Sequence, residues 1–199
     1  NAAGRDGGGV SVNWYAGLAI SNFTIADNVA IGATGEDAGF GGGLYSSYES
    51  SVDVINSIIW NNSGTQGAQI AVAVGSEFEP RPSTVNVAYS DVMGWQAPDD
   101  PAAIDPNAVF VDVGCTLGWD AATILNEDPL FVSRYYVLSH VSAGQAENSP
   151  AIDAGSGNVN NPAIGLGGYT TALNAEPDTG TVDLGYHNRI MKYRVDVSV

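Results

Sequence analysis

The sequence predicts an all-β fold in which parallel strands stack as the rungs of a solenoid, and three observations carry this prediction. A block of residues recurs early in the chain. Within the block, apolar and polar residues alternate, and glycine and asparagine are frequent between the alternating stretches. Of the 199 residues, 25 are glycine and only 14% are charged, which is too few for the exposed faces of long helices. The hydrophobic content of 44% is enough for one buried core.

The repeat aligns residues 9–28 with residues 43–62 without a gap, at an offset of 34 residues. A third, degenerate copy follows, in which residues 68–74 and 85–92 resemble the two halves of the unit and an insertion separates them. Within the unit the apolar positions recur with a period of two and β-branched residues dominate, which indicates strands. One such strand cannot bury its apolar face alone, whereas stacked units can, so the repeat favours a solenoid.

Two asparagine pairs fall on equivalent positions of the repeat, Asn22 on Asn56 and Asn28 on Asn62. Asn22 and Asn56 share the parity of the inward valines, where an unpaired amide is costly. We therefore expect these asparagines to form a structural ladder in which stacked amides bond from rung to rung. The alternative is that Asn22 and Asn56 are ordinary turn residues. The glycine triplets that open the units fit a tight bend where backbones approach closely.

Three separated motifs mark the second half of the chain: NEDPLF (126–131), SPAIDAG (149–155) and PDTGTVDLGYH (177–187). Together with the glycine-initiated units and the strand NSIIWNN, they resemble a family of secreted or cell-surface bacterial right-handed parallel β-helix proteins, which is related to polymorphic outer-membrane protein repeats. The resemblance implies a right-handed solenoid with a closing C-terminal cap and an extracellular or cell-surface location. It implies no single activity, because members range from polysaccharide lyases and glycoside hydrolases to adhesive modules.

The same pattern predicts the domain organisation. We expect residues 1–188 to form one β-helix domain, with repeat rungs over about 7–94 and with loop-rich C-terminal rungs and a cap over about 95–188. Residues 189–199 alternate like a single strand that leads to a following domain or pairs with a neighbouring subunit.

The charge balance limits the partners. With 22 acidic and 6 basic side chains the net charge is −16, so a patch that displaces counterions from nucleic acid is not expected. No apolar run approaches the roughly 18 residues of a membrane-spanning helix, so no such segment is predicted. Positively charged partners, divalent cations and plain solubility remain as interpretations of the acidity.

The sequence gives only weak indications of a metal site or a catalytic site. Hard oxygens cluster at Asp178 and Asp183, which could hold Ca²⁺, although no established Ca²⁺-loop pattern is present. A glycosidase needs two carboxylates about 5 to 9.5 Å apart, and the aligned units stack none: Asp27 falls on Asn61. We therefore predict no catalytic residue and no required cofactor.

Aromatic residues give a stronger functional signal, because Trp14 aligns with Tyr48 and the two should lie about one strand spacing apart. Such a pair could form a platform for a sugar ring or for side chains of a partner, or it could simply cover the outer sheet. The favoured function is a non-catalytic structural or adhesive module that assembles with other copies or with flanking domains. The alternatives are a polysaccharide-active enzyme and a carbohydrate-binding module.

Overall fold

The computed structural model describes residues 1–32, 39–76, 78–95, 105 and 107–189. In this part of the chain the regular structure is nearly all β, apart from a short 3-10 helix at Val141–Ala143. The strands in chain order are β1 (Ala2–Ala3), β2 (Val10–Val12), β3 (Gly17–Ser21), β4 (Thr24–Ala26), β5 (Val29–Ala30), β6 (Leu44–Ser46), β7 (Ser51–Ile55), β8 (Ile58–Trp60), β9 (Ile70–Val72), β10 (Thr84–Ala88), β11 (Ser90–Val92), β12 (Val109–Val111), β13 (Thr116–Trp119), β14 (Ile124–Leu125), β15 (Tyr169–Thr170) and β16 (Asn188–Arg189).

Twelve of these strands form three parallel four-stranded sheets. Sheet A contains β2, β6, β9 and β12; sheet B contains β3, β7, β10 and β13; sheet C contains β4, β8, β11 and β14, each in that spatial order. Each of four successive segments of chain therefore places one strand in each sheet, and we call each such segment a rung. The predicted all-β class with parallel sheets is confirmed.

The strand registers match the sequence repeat. Val10 lies opposite Leu44 in sheet A, Ile20 opposite Val54 in sheet B and Thr24 opposite Ile58 in sheet C, each at an offset of 34 residues. The third copy also pairs as aligned, with Val85 opposite Val52. The alignment of residues 9–28 with residues 43–62 is confirmed at the level of individual strand pairs.

The inward residues of the three sheets build the main core. In β7 the two valines, Val52 and Val54, are buried while Ser51 and Asp53 are exposed, which is the predicted period of two. Burying each such side chain stabilises the fold by roughly 1.5 to 3 kcal/mol. The core extends across all four rungs, from Val12 and Ile20 to Leu117.

Residues 126–189, the C-terminal segment, lie against the outer face of sheet C and add no further strand to the three large sheets. Ile59 packs in the main core, whereas its neighbour Ile58 points outward and packs with Leu138, Ala151 and Leu184. The fourth rung, β12 to β14, lies within the region of about 95–188 where loop-rich C-terminal rungs and a cap are expected, and it ends at Leu125. The C-terminal segment covers Ile58 and Leu125 on the outer face of sheet C.

The end of the described chain pairs with an element of its own C-terminal segment. Tyr169 lies opposite Arg189 in the antiparallel pair of β15 and β16. The expected strand or linker at 189–199 therefore begins with a residue that is paired within the chain, and residues 190–199 lie outside the described residues. No helix in the described part is long and apolar enough to cross a membrane.

The asparagines at the corners of the rungs differ in their hydrogen bonding: Asn28 and Asn62 bond to each other, whereas Asn22 and Asn56 bond to other residues. The Asn62 carboxamide accepts hydrogen bonds from the backbone and side chain of Asn28, at 3.0 and 2.9 Å, and donates to Gln69 at 2.8 Å and to the carbonyl of Ile25 at 2.9 Å. This buried amide column connects three successive rungs and satisfies groups that would otherwise be unpaired.

Asn22 and Asn56 bond differently from the expected ladder. Both have left-handed φ values, 58° and 52°, as the turn alternative requires. The side chain of Asn22 donates to Ser21 Oγ at 2.8 Å, and Asn56 Oδ1 accepts the amide of Ser156 at 2.7 Å. The left-handed φ values interrupt the simple alternation at this corner. Through its bond to Ser156, Asn56 ties the C-terminal segment to the second rung.

Candidate functional site

Trp14 and Tyr48 form an exposed aromatic column at one corner of the first two rungs. Their ring centroids lie 4.0 Å apart with an interplanar angle of 12°. The rungs are held together here by the amide of Tyr15, which donates to the carbonyl of Tyr48 at 2.9 Å. The two rings therefore stack on each other, one above the other, so the pair presents one ring face to a ligand and not two side by side.

The backbone of the third rung supports the column from below. A Cβ atom added at Gly75 would lie 2.4 Å from the ring of Tyr48, so the glycine backbone packs directly against that ring. Trp14 lies at the other end of the column and is 64% exposed. The order is therefore backbone, Tyr48, Trp14 and then solvent.

Strained tight turns present both rings. Trp14 and Tyr15 have φ values of 60° and 61°, and the next rung repeats this conformation at Tyr48 and Glu49 with 55° and 58°. A side chain in this region costs roughly 1 to 2 kcal/mol per residue, and such strain concentrates at functional sites. The ladder hydrogen bonds hold the turns, so the orientation of the column is fixed before any ligand arrives.

A cleft of about 340 Å³ lies beside the column, and we call it the polar cleft. Its lining combines the two rings with charged and hydrogen-bonding side chains: Arg5, Asp6, Ser11, Asn13, Tyr45 and Ser47. Asn13 is oriented by Ser47 Oγ, which donates to its Oδ1 at 2.5 Å, and its own Nδ2 donates to Ser11 Oγ at 2.7 Å. The cleft can therefore exchange hydrogen bonds with hydroxyl groups next to an aromatic face.

A second concave site, the acidic pocket, lies within the C-terminal segment and has a volume of about 160 Å³. Asp153, Glu176, Asp178 and Asp183 line it together with His140. Both oxygens of Asp183 accept protein hydrogen bonds, Oδ1 from the amide of Asp153 at 2.8 Å and Oδ2 from the hydroxyl of Thr171. Burial raises the pKa of Asp183 above its ordinary value.

His187 completes this cluster through both of its ring nitrogens. Nδ1 lies 3.0 Å from the carbonyl oxygen of Gly185 and must donate to it, since a carbonyl only accepts. Nε2 lies 2.8 Å from Asp178 Oδ2. The imidazole is therefore held on both sides, by a backbone carbonyl and by the Asp178 carboxyl group.

The predicted cation ligands, Asp178 and Asp183, are thus brought together, with His187 as a third donor and all three ligand atoms within 4.8 Å of one another. Ca²⁺ prefers oxygen donors alone, whereas a set with an imidazole suits zinc-like ions. The amide of Asp183 donates to Asp178 Oδ2 at 3.0 Å, so the carboxylates already bond to protein groups. Asp183 ties the SPAIDAG motif to the closing motif, whereas Asp178 bonds to Asp183 and His187 within the closing motif.

The sequence analysis missed Thr171 and Asp153 as partners of Asp183, because nothing in their spacing predicts the contact. His187, which lies within the closing motif, was not among the predicted cation ligands. The stacking of Asp27 under Asn61 was predicted, and Asn61 Nδ2 donates to Asp27 Oδ1 at 2.6 Å.

Comparisons with known proteins add no relative to this picture. No family model matches the chain, and no curated protein or solved structure is significantly similar to it.

Proposed function

We propose that this chain is a non-catalytic adhesive module of an extracellular or cell-surface bacterial protein, built as a right-handed parallel β-helix. The three parallel sheets support the β-helix, because each rung contributes one strand to each sheet in the same order. A solenoid of this kind offers long, rigid lateral faces whose side chains repeat from rung to rung. These faces suit attachment to an extended partner, such as a polysaccharide or another copy of the chain.

The observation that carries the adhesive role is the aromatic column beside the polar cleft. Monomeric proteins bury most large aromatic side chains, yet Trp14 and Tyr15 are 64% and 56% exposed. Trp14 is also held rigidly, since it stacks on Tyr48 in a hydrogen-bonded turn. A rigid, exposed aromatic face loses little conformational entropy on binding, which is why aromatic residues dominate the energetics of many binding surfaces.

The adhesive role is tested by binding of the purified protein to chips that carry neutral polysaccharide, anionic polysaccharide or matrix protein, measured by surface plasmon resonance. We expect binding to at least one surface, and we expect Trp14→Ala to weaken it about tenfold. Phe23→Ala is the matched control, because Phe23 is 54% exposed but lies at a different corner of the first rung. Absence of binding to every surface, or equal loss in both variants, would refute the adhesive role.

The acidic pocket supports a second candidate, a polysaccharide-active enzyme. The specific observation is that Asp183, whose pKa is raised by burial, shares the pocket with Asp153 and Asp178. A carboxyl with a raised pKa is the group that a glycosidase uses as its general acid. If this candidate holds, the protein releases reducing ends from a polysaccharide panel and Asp183→Asn abolishes the release while the thermal midpoint stays unchanged. Loss of thermal stability in Asp183→Asn without any wild-type release assigns Asp183 to structure.

A further inference from the structure

We propose that the outer face of Trp14 binds a pyranose ring of a neutral polysaccharide, which stacks as the next layer of the aromatic column. This inference rests on the proposed adhesive function and names its ligand class. It begins from the column itself, in which each layer is supported by the one below: the Gly75 backbone, then Tyr48, then Trp14. The indole is the last layer, so its outer face is the one available to a flat ligand.

The shape and chemistry of the polar cleft select a sugar. A pyranose carries C–H groups on one face, which are attracted to the electron-rich face of an indole, and hydroxyl groups around its edge. The volume of about 340 Å³ lies at the lower end of the range for small-ligand sites and accommodates one or two sugar units. Asn13 and Ser11 lie in the cleft beside the column, where they can bond to hydroxyl groups at the edge of a stacked ring.

The charges around the column favour a neutral sugar over a uronic acid. Arg5 lies 3.9 Å from the carboxylate of Asp6, and Arg81, which covers the ring of Tyr15, pairs with Glu49 at 3.5 Å. These arginines are therefore balanced by neighbouring acids. The whole chain carries a net charge of −16, which repels an anionic polymer at long range.

The test uses soluble probes: hexasaccharides of cellulose, chitin, xylan, mannan and starch as neutral ligands, and a galacturonate hexamer as the anionic one. Binding is followed by NMR through the indole N–H signal of Trp14, which is assigned from its disappearance in Trp14→Phe. We expect at least one neutral hexasaccharide to shift this signal and the signals of Tyr48 and Asn13. Trp14→Ala should weaken that binding about tenfold or more, and Phe23→Ala should leave it unchanged.

Two further substitutions distinguish a role of Trp14 in stacking on a sugar from a purely structural role. Trp14→Tyr keeps an aromatic face and should retain most of the affinity, whereas Trp14→Leu has a similar apolar character without a flat face and should lose it. The inference is overturned if no neutral hexasaccharide binds, if only the galacturonate binds, or if Trp14→Leu binds as well as Trp14→Tyr. If the chip experiment still shows Trp14-dependent adhesion that no hexasaccharide competes with, the ligand assignment fails while the adhesive function stands.

Discussion

Asp91 is a completely buried carboxyl on the outer face of sheet C, between Ile58 and Leu125 of the neighbouring strands. Its Oδ1 accepts the amide of Glu127 at 3.3 Å, while its Oδ2 has no hydrogen-bond partner. Burial raises the pKa of Asp91 from 3.8 to about 7, and the nearby acids Glu127 and Asp128 add to the rise. The C-terminal segment therefore covers a group that prefers to be neutral.

This pKa makes the stability of the protein depend on pH. Between about pH 4 and pH 7 folded Asp91 keeps a proton that the unfolded chain has released. The contribution of this group to the free energy of unfolding is therefore complete below pH 4 and is lost as the pH rises to 7. Asp91→Asn, which mimics the neutral form, should therefore gain stability relative to wild type by on the order of 4 kcal/mol between pH 4 and pH 8. Urea unfolding at several pH values measures the difference.

Glu147→Gln provides the control, because Glu147 is exposed in the same C-terminal segment. Its stability difference from wild type should change little over the same range of pH. A constant difference between Asp91→Asn and wild type from pH 4 to pH 8 would show that Asp91 is ionised when folded, contrary to the prediction.

The glycine triplets show how one element stacks on the next. The amide of Gly9 donates to the carbonyl of Gly42 at 2.9 Å, so the triplet of the first rung lies directly on that of the second. A Cβ atom at Gly42 would lie 2.3 Å from the carbonyl oxygen of Ser63. A methyl group does not fit there unless the backbone moves.

Gly42→Ala should consequently destabilise the protein by roughly 3 kcal/mol or more, because the clash is with main-chain atoms that cannot rotate away. Gly17→Ala is the matched control in β3, since a Cβ atom at Gly17 meets nothing within 4 Å. We expect it to be neutral or to stabilise by up to about 1 kcal/mol, because alanine restricts the unfolded chain. Thermal and urea unfolding of the two variants test both expectations, and equal effects would rule out close backbone packing as the role of the triplet.

At the scale of the whole molecule, the rungs and the C-terminal segment share an apolar interface and so should unfold together. Leu184 is completely buried in the cluster that contains Ile58 of β8. Leu184→Ala should lower the free energy of unfolding by about 2 to 5 kcal/mol. It should also lower hydrogen-exchange protection equally in the C-terminal segment and in β7 and β10, which lie in a different sheet.

Mass spectrometry of exchanged peptides measures this cooperativity, and Leu173→Ala is the control because Leu173 is 52% exposed in the same segment. We expect that control to change stability by less than about 0.5 kcal/mol. If Leu184→Ala loosens the C-terminal segment while protection in β7 and β10 stays at the wild-type level, the two parts are independent units.

The repeat in the sequence determined the strand order, the parallel pairing and the register of the first two rungs. It could do so because a parallel ladder places equivalent residues at a constant offset, and because a one-residue slip would turn Val52 and Val54 outward. The same offset predicted that Trp14 and Tyr48 would be neighbours. Local periodicity and repetition contain this information, and no distant contact is needed to extract it.

Only the tertiary structure shows where the C-terminal segment packs and which residues it contacts. Nothing in the spacing of the C-terminal motifs shows that they cover sheet C, that Asp183 bonds to Thr171, or that Asp91 is buried beneath them. Nor does alternation predict that Asn56 turns toward Ser156, since the left-handed φ at that corner breaks the period of two. These features arise from contacts between residues far apart in the chain, which depend on the path of the backbone and not on any local pattern.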